Sequence, residues 1–134
     1  MDTQSKKYTL LIVEDDLPEL RALTDKFFHE GFAVIQAKNG EEGLESALKN
    51  HPDIILLDIV MPKMDGMTML KRLREANEWG KHVPVIILTN LTSTDEARTR
   101  DIAELEPAYY LVKTDWKIED VVEKVRERLE TPHS

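Results

Sequence analysis

At 134 residues, 41% of them apolar and 33% charged, the chain has the length and composition of one globular domain, which excludes a fibrous or low-complexity polymer. It contains no cysteine, so disulfides and thiolate metal sites are excluded, and its net charge of −8 argues against the basic footprint that nonspecific nucleic-acid binding requires. No apolar stretch approaches the length of a membrane span, and residues 1–7 lead into a short strand rather than a signal-peptide core, so the expectation is a cytoplasmic protein.

Residues 8–13 form an apolar run that predicts a buried strand, and Glu14, Asp15 and Asp16 follow it at once. Asp16 stands just before Leu17 and Pro18, the pattern of a helix N-terminus. Leu20, Leu23, Phe27 and Phe28 then lie at helical spacing, and Gly31 ends the helix. Residues 32–37 predict a second strand. Asn39 offers a cap for a helix with Leu44, Ala47 and Leu48 as its apolar stripe and Gly43 as a weak spot, broken at His51 and Pro52. Residues 53–58 read as a strand buried on both faces of a parallel sheet, closed by Asp58. After turn-rich residues 61–66, Met67, Leu70 and Leu73 mark another helical face. Residues 83–88 predict a fourth buried strand ending at Thr89. Residues 93–105 predict a helix poor in apolar residues, with Ala97, Ile102, Ala103 and Leu105. A fifth strand, 109–112, ends at Lys113, and Ile118, Val121, Val122, Val125 and Leu129 give an amphipathic last helix.

Strand and helix alternating five times predict an α/β fold, a doubly wound five-stranded parallel sheet with helices on both faces, in a single domain over 1–134 with its core at about 8–129. In such sheets ligands bind at the C-terminal ends of the strands. That edge collects Glu14 and Asp15 from strand one, Asp58 from strand three, Thr89 from strand four and Lys113 from strand five. Asp is common wherever strands end, so Asp58 alone reads equally as a loop cap. Adjacent acids that are partly buried raise one another's pKa, and a divalent cation removes that conflict. Mg²⁺ suits one or two carboxylates with water and phosphate oxygens. A hydroxyl and an ammonium can bind phosphoryl oxygens, and a carboxylate can itself accept a phosphoryl group.

The segments 11–16, 56–66, 87–89 and 110–113 resemble, in order and spacing, the signature segments of the receiver domain of two-component response regulators. The resemblance covers the chain from about Tyr8 to Leu129 and implies the flavodoxin-like receiver fold. By matching position, Asp58 resembles the phosphoacceptor for a phosphohistidine on a sensor histidine kinase or histidine phosphotransfer protein. The resemblance further implies that Asp15, Asp58 and the Val60 main-chain carbonyl ligate Mg²⁺, with Glu14 acting mainly through water. Thr89 and Lys113 would hold the phosphoryl oxygens, and Thr89 and Tyr110 would form the conformational switch. Signalling is then expected through contact with a downstream protein, by a monomer or a weak phosphorylation-dependent dimer, and not through membrane or nucleic acid.

Four departures from the family pattern bear on output. Asn90 stands where a small residue is usual, Thr114 where proline follows the lysine, Glu106 and Pro107 where a Gly-Ala pair is usual, and Tyr109 at an often acidic position. A cis bond before a non-proline residue costs roughly 2.5–4 kcal/mol, so the loop after Lys113 is expected to be strained or rebuilt. Pro107 forces the preceding helix to stop at or before Glu106. Val60 and Leu91, two residues past Asp58 and Thr89, are apolar where the resemblance places the path of the hydrolytic water, so slow self-dephosphorylation is expected. The competing readings are a receiver-like interaction module that is not phosphorylated, a receiver fragment of a larger regulator, a haloacid-dehalogenase-like phosphohydrolase and a flavodoxin. The phosphohydrolase needs an acid where Val60 stands, and the flavodoxin needs a Ser/Thr/Gly-rich loop where Glu14, Asp15 and Asp16 stand.

Overall fold

The computed structural model describes residues 7–61, 64–90 and 96–131, the helix from residue 96 without the side chains of 96–99. In chain order the elements are β1 (Thr9–Val13), α1 (Leu17–His29), β2 (Ala33–Ala37), α2 (Gly40–Asn50), β3 (Ile54–Leu57), α3 (Gly66–Ala76), α4 (Glu78–His82), β4 (Val85–Thr89), α5 (Glu96–Glu104), β5 (Tyr109–Val112) and α6 (Ile118–Glu130). The strands form one parallel sheet in the order β2-β1-β3-β4-β5, as the alternating pattern predicts.

The near-continuous apolar runs of β1, β3 and β4 are explained by two cores. Leu11, Val13, Ile55, Leu57, Val85 and Ile87 face one side and pack with Ala47 of α2, Met69, Leu70 and Leu73 of α3, and Ile102 of α5. Their neighbours Leu10, Ile12, Ile54, Leu56, Ile86 and Leu88 face the other and pack with Leu20, Leu23 and Phe27 of α1 and Val121, Val122 and Val125 of α6. Each fully buried Leu, Ile or Val contributes about 1.5–3 kcal/mol relative to an exposed one, so both faces resist a one-residue slip in register.

The predicted helix starts are real caps. The side chains of Asp16 and Asn39 accept from the amides of Glu19 (3.2 Å) and Glu42 (2.9 Å), and Asp65 does the same for Thr68 (2.9 Å). Phe28 departs from the expected stripe: it is 64% exposed, because it follows Phe27 directly and so lies about 100° around α1 from the buried line. Gly43 is not a weak spot. A Cβ there would meet Val13 Cγ2 at 2.9 Å and Met69 Sδ at 3.1 Å, so the missing side chain is what lets α2 lie on β1 and α3.

Helix α4, the left-handed Glu106 and the Arg74 clamp were not foreseen, whereas the end of α5 and the rebuilt loop after Lys113 were. Helix α4 is only five residues, too short to show a period; Asn77 caps it through the Gly80 amide (2.7 Å), and its Trp79 stacks on His51 at 4.2 Å. Helix α5 is described only from Glu96, residues 93–95 lying outside the described part, and it ends at Glu104 as Pro107 requires. Glu106 then takes the left-handed conformation (φ 53°) in the place where the family pattern has glycine. Arg74 of α3 reaches across to hold that turn: its Nε donates to Leu105 O (2.8 Å), Nη2 to Glu106 O (3.1 Å), and Nη1 to Gly80 O (2.9 Å) and Val83 O (2.7 Å). The loop after Lys113 is rebuilt as a 3-10 turn over Lys113–Asp115, and no cis peptide bond occurs among the described residues.

Candidate functional site

The site follows from the sheet's register. β1 pairs with β3 through Val13 opposite Leu57 and with β2 through Val13 opposite Ala37, and each pairing runs one residue further: Asp58 N–H donates to Val13 O and Glu14 N–H to Ala37 O, both at 3.0 Å. Glu14 and Asp58 are thereby fixed side by side just past the strand ends. Thr89 closes β4 opposite Val112, which places Lys113 one residue beyond the same edge. Glu14, Asp15, Asp58, Thr89 and Lys113, the five residues singled out from the strand ends, line one cleft of about 400 Å³, together with Asp16, Glu19, Val60 and Asn90.

The loop leaving β3 is held tightly beneath Asp58. Val60 N–H donates to Asp58 Oδ1 (3.2 Å), and Gly66 N–H donates to Ile59 O (3.2 Å). A Cβ on Gly66 would fall 2.5 Å from both Asp58 O and Ile59 Cα, so only glycine permits this approach. Val60 itself turns outward and is 57% exposed at the mouth of the cleft.

The charges are strongly coupled. Carboxylate oxygens of Glu14, Asp15 and Asp58 all lie within 4.8 Å of one another. Glu14 is 2% and Asp58 6% exposed, whereas Asp15 opens to solvent. Lys113 Nζ donates to Glu14 Oε1 (2.8 Å) and to Glu19 Oε2 (2.6 Å), and stands 3.5 Å from Asp58 Oδ2. Burial pushes the Glu14 carboxyl up to about 7 against the hydrogen bonds from Lys113 and the Asp16 amide, with the Asp58 charge adding to the rise. Burial acts on Lys113 in the opposite sense, but its hydrogen bonds to Glu14 and Glu19 and the Asp58 charge outweigh it and hold the ammonium above its ordinary range. The lysine is therefore a fixed cation.

Glu19 was not among the residues predicted. Its one signal was its place in the first turn after the Asp16 cap, where acids are common for the helix dipole alone. The Thr89 side chain is fully buried at the cleft floor. Tyr110 lies on β5 opposite Ile87, half-buried against the α3 and α5 side of the sheet. Leu91, expected beside the path of the hydrolytic water, lies outside the described residues. Among the described residues the three-carboxylate group is the only cluster with metal-ligand spacing, and its all-oxygen donor set suits a hard divalent cation such as Mg²⁺.

A doubly wound sheet carrying three acids, a hydroxyl and a lysine at its C-terminal edge is the arrangement of a phosphoacceptor-type signalling module. The sequence family described as the response regulator receiver domain matches residues 10–126, and the chain belongs to that family. It is 38% identical over 115 residues to the transcriptional regulatory protein PrrA of Mycobacterium tuberculosis, across 84% of this chain and 46% of that protein. It is 36% identical over 113 residues to a protein-glutamate methylesterase/protein-glutamine glutaminase of Archaeoglobus fulgidus, across 84% of this chain and 31% of that protein. The chain thus spans between about a third and a half of these relatives. A solved structure titled as the CheX-CheY-BeF3-Mg+2 complex of Borrelia burgdorferi superposes with a TM-score of 0.79 at 31% identity, covering 92% of this chain and 90% of the other. No helix among the described residues is long and apolar enough to cross a membrane.

Proposed function

We propose that Asp58 is the phosphoacceptor and that the chain relays a signal from a sensor histidine kinase or phosphotransfer protein to a downstream protein. The observation that carries this reading is the placement of the Asp58 carboxylate, seated at the β3 terminus in an open cleft, 3.5 Å from a fixed ammonium and within 4.8 Å of two further carboxylates. In the transfer, an Asp58 carboxylate oxygen forms a bond to phosphorus as the bond between phosphorus and the donor's imidazole nitrogen breaks. The electron pair of that bond stays on the imidazole nitrogen.

Asp15, Asp58 and the Val60 carbonyl would hold Mg²⁺, which when bound supplies charge neutralisation to the carboxylates and the phosphoryl oxygens. Both Glu14 oxygens already have donors, Lys113 Nζ and the Asp16 amide (3.1 Å), which supports an indirect role for Glu14. Lys113 balances charge gathering on the phosphoryl group, and the Thr89 hydroxyl receives one of its oxygens. Drawing Thr89 toward the phosphoryl group empties the space beside β5 into which Tyr110 turns, so a local charge change biases a two-state element. Output then runs through the face built by α5, β5 and α6, in the cytoplasm, from a monomer or a weak dimer.

Incubation with radiolabelled phosphohistidine kinases or with phosphoramidate tests the assignment. Wild-type protein takes up one Mg²⁺-dependent phosphoryl group that alkali and hydroxylamine release, and Asp58→Asn takes up none. A D58N protein that still labels, or that still drives the phosphorylation-dependent partner contact, refutes it.

A further inference from the structure

We infer that Glu19 is a positioning residue for phosphoryl transfer, a competing anion that holds the Lys113 ammonium off Asp58 in the resting protein and gives it up once Asp58 is loaded. This rests on the reading of Asp58 and Lys113 given above. Lys113 Nζ makes true hydrogen bonds to Glu14 and Glu19, at 2.8 and 2.6 Å, while its 3.5 Å approach to Asp58 is an ion pair without one. Among the described residues Lys113 is the one cation lining the cleft, and its shortest contact is thus made to a residue from outside the strand ends.

The two competitors are unequal. Glu14 is built into the frame: its side chain is 3% exposed, and its second oxygen accepts from the Asp16 amide. Releasing Lys113 would strand a buried carboxylate. Glu19 is 29% exposed and sits in the first turn of α1, so a rotamer change returns its carboxylate to water at small cost. The Asp16 cap starts α1 where the third helical residue, Glu19, overhangs the cleft. Helix-dipole preference explains an acid at that position but not its reach across to β5. A phosphoryl group on Asp58 brings up to two negative charges and three acceptor oxygens, which outbid a single half-hydrated carboxylate. Glu19 also repels an anionic donor entering the cleft. It therefore sets the threshold for loading, and its release reports the loaded state on α1.

The test compares Glu19→Gln, which keeps shape and removes charge, with Glu19→Asp, which keeps charge and shortens the reach. Phosphoramidate loading rates and calorimetric affinity for beryllofluoride with Mg²⁺ are measured on both. Glu19→Gln is expected to load about fivefold faster and to bind beryllofluoride about fivefold tighter, the effect of one partly screened charge. Glu19→Asp is expected to gain part of that, because its carboxylate no longer reaches Nζ. Nitrogen-15 NMR of the Lys113 ammonium should show its environment in Glu19→Gln moving toward that of the beryllofluoride-bound wild type. Glu19→Gln folding normally but loading at or below the wild-type rate overturns the proposal. A wild-type protein that never loads overturns the assignment of Asp58 instead.

Discussion

Asp58→Asn is expected to make the protein more stable while removing its chemistry. Among the described residues, four carboxylates, Glu14, Glu19, Asp15 and Asp58, meet one ammonium, Lys113. At an effective dielectric of about 20, two unit charges 4.8 Å apart repel by about 3.5 kcal/mol and opposite charges 3.5 Å apart attract by about 5 kcal/mol. Above about pH 8 Glu14 is ionised, although burial raises its carboxyl to about 7. There it repels Asp58 at nearly full strength because both are buried, and solvent cuts the exposed Asp15 to about a third of its share. Attraction to Lys113 roughly matches their sum, but the lysine is already committed to Glu14 and Glu19. The cost of burying the Asp58 charge is left over. Asparagine removes that charge and keeps an oxygen to accept the Val60 amide, a contact of 3.2 Å. The expected gain is about 1–2 kcal/mol, or about 3–6 °C in Tm for a domain of this size. The assay is thermal unfolding at about pH 8.5 in EDTA and again in MgCl2 at matched ionic strength. At ten times its Kd, Mg²⁺ adds about 1.4 kcal/mol to the wild type and should add little to D58N, so the stability gap narrows or reverses. A D58N protein no more stable than wild type in EDTA would refute the electrostatic account.

Gly66→Ala forces a Cβ to within 2.5 Å of the Asp58 carbonyl and should cost about 2–4 kcal/mol in urea unfolding while slowing phosphorylation, with m unchanged. Arg74→Met removes a guanidinium that serves four carbonyls and should cost about 2–4 kcal/mol, with hydrogen exchange rising first at Leu105 and Glu106. The exposed apolar Val60 at the mouth of the cleft offers no group to orient an attacking water, so the phosphoryl group should persist for many minutes after donor removal; decay within seconds would sink this. The Arg126 hydrogen bond, with Lys26 nearby, holds the Glu30 carboxyl below its ordinary range. A depressed folded pKa stabilises above the unfolded value and is lost as pH falls through the folded one. The stability difference between wild type and Glu30→Gln should therefore be constant at neutral pH, begin to shrink near 4.5 and be lost only as pH falls through the lower folded value.

The legible part of this chain was whatever repeats or terminates. Leu10 to Val13 and Ile54 to Leu57 announce two-sided burial by being apolar at every position, and an acid, hydroxyl or lysine closing each run marks the edge where the site lies. Asp16 and Asn39 were legible as caps because capping is a local interaction over three residues. Glu19 was not, because its partner Lys113 is 94 residues away and nothing in a first-turn acid distinguishes a dipole partner from a cross-sheet ligand. Arg74 was hidden for the same reason, as its four acceptors are backbone carbonyls, which leave no mark in a sequence. Gly43 was misread because helix propensity counts the cost of a missing Cβ and is blind to Val13 and Met69, which occupy its place.

The departures from the family pattern cluster where the structure replaces one kind of rigidity with another. Without proline after Lys113, the backbone turns through Lys113–Asp115, and Trp116 packs against the core of the α1 and α6 side. Lys124 stands 5.7 Å from the Trp116 ring and 4.8 Å from the Tyr109 ring, whose hydroxyl donates to Glu127. Tyr109 at an often acidic position thereby ties β5 to α6 by a ring, a cation and a hydrogen bond. Just before Tyr109, Arg74 clamps the Glu106 turn that leads into β5. β5 is thus anchored at its start by Tyr109 and the Arg74 clamp and, beyond the Lys113–Asp115 turn, by Trp116, with Tyr110 between these anchors. A strand so pinned cannot shift as a whole when Thr89 moves. Switching in this chain should therefore be confined to the Tyr110 side chain and to α5, with β5 and α6 serving as a fixed base against which a partner reads the change.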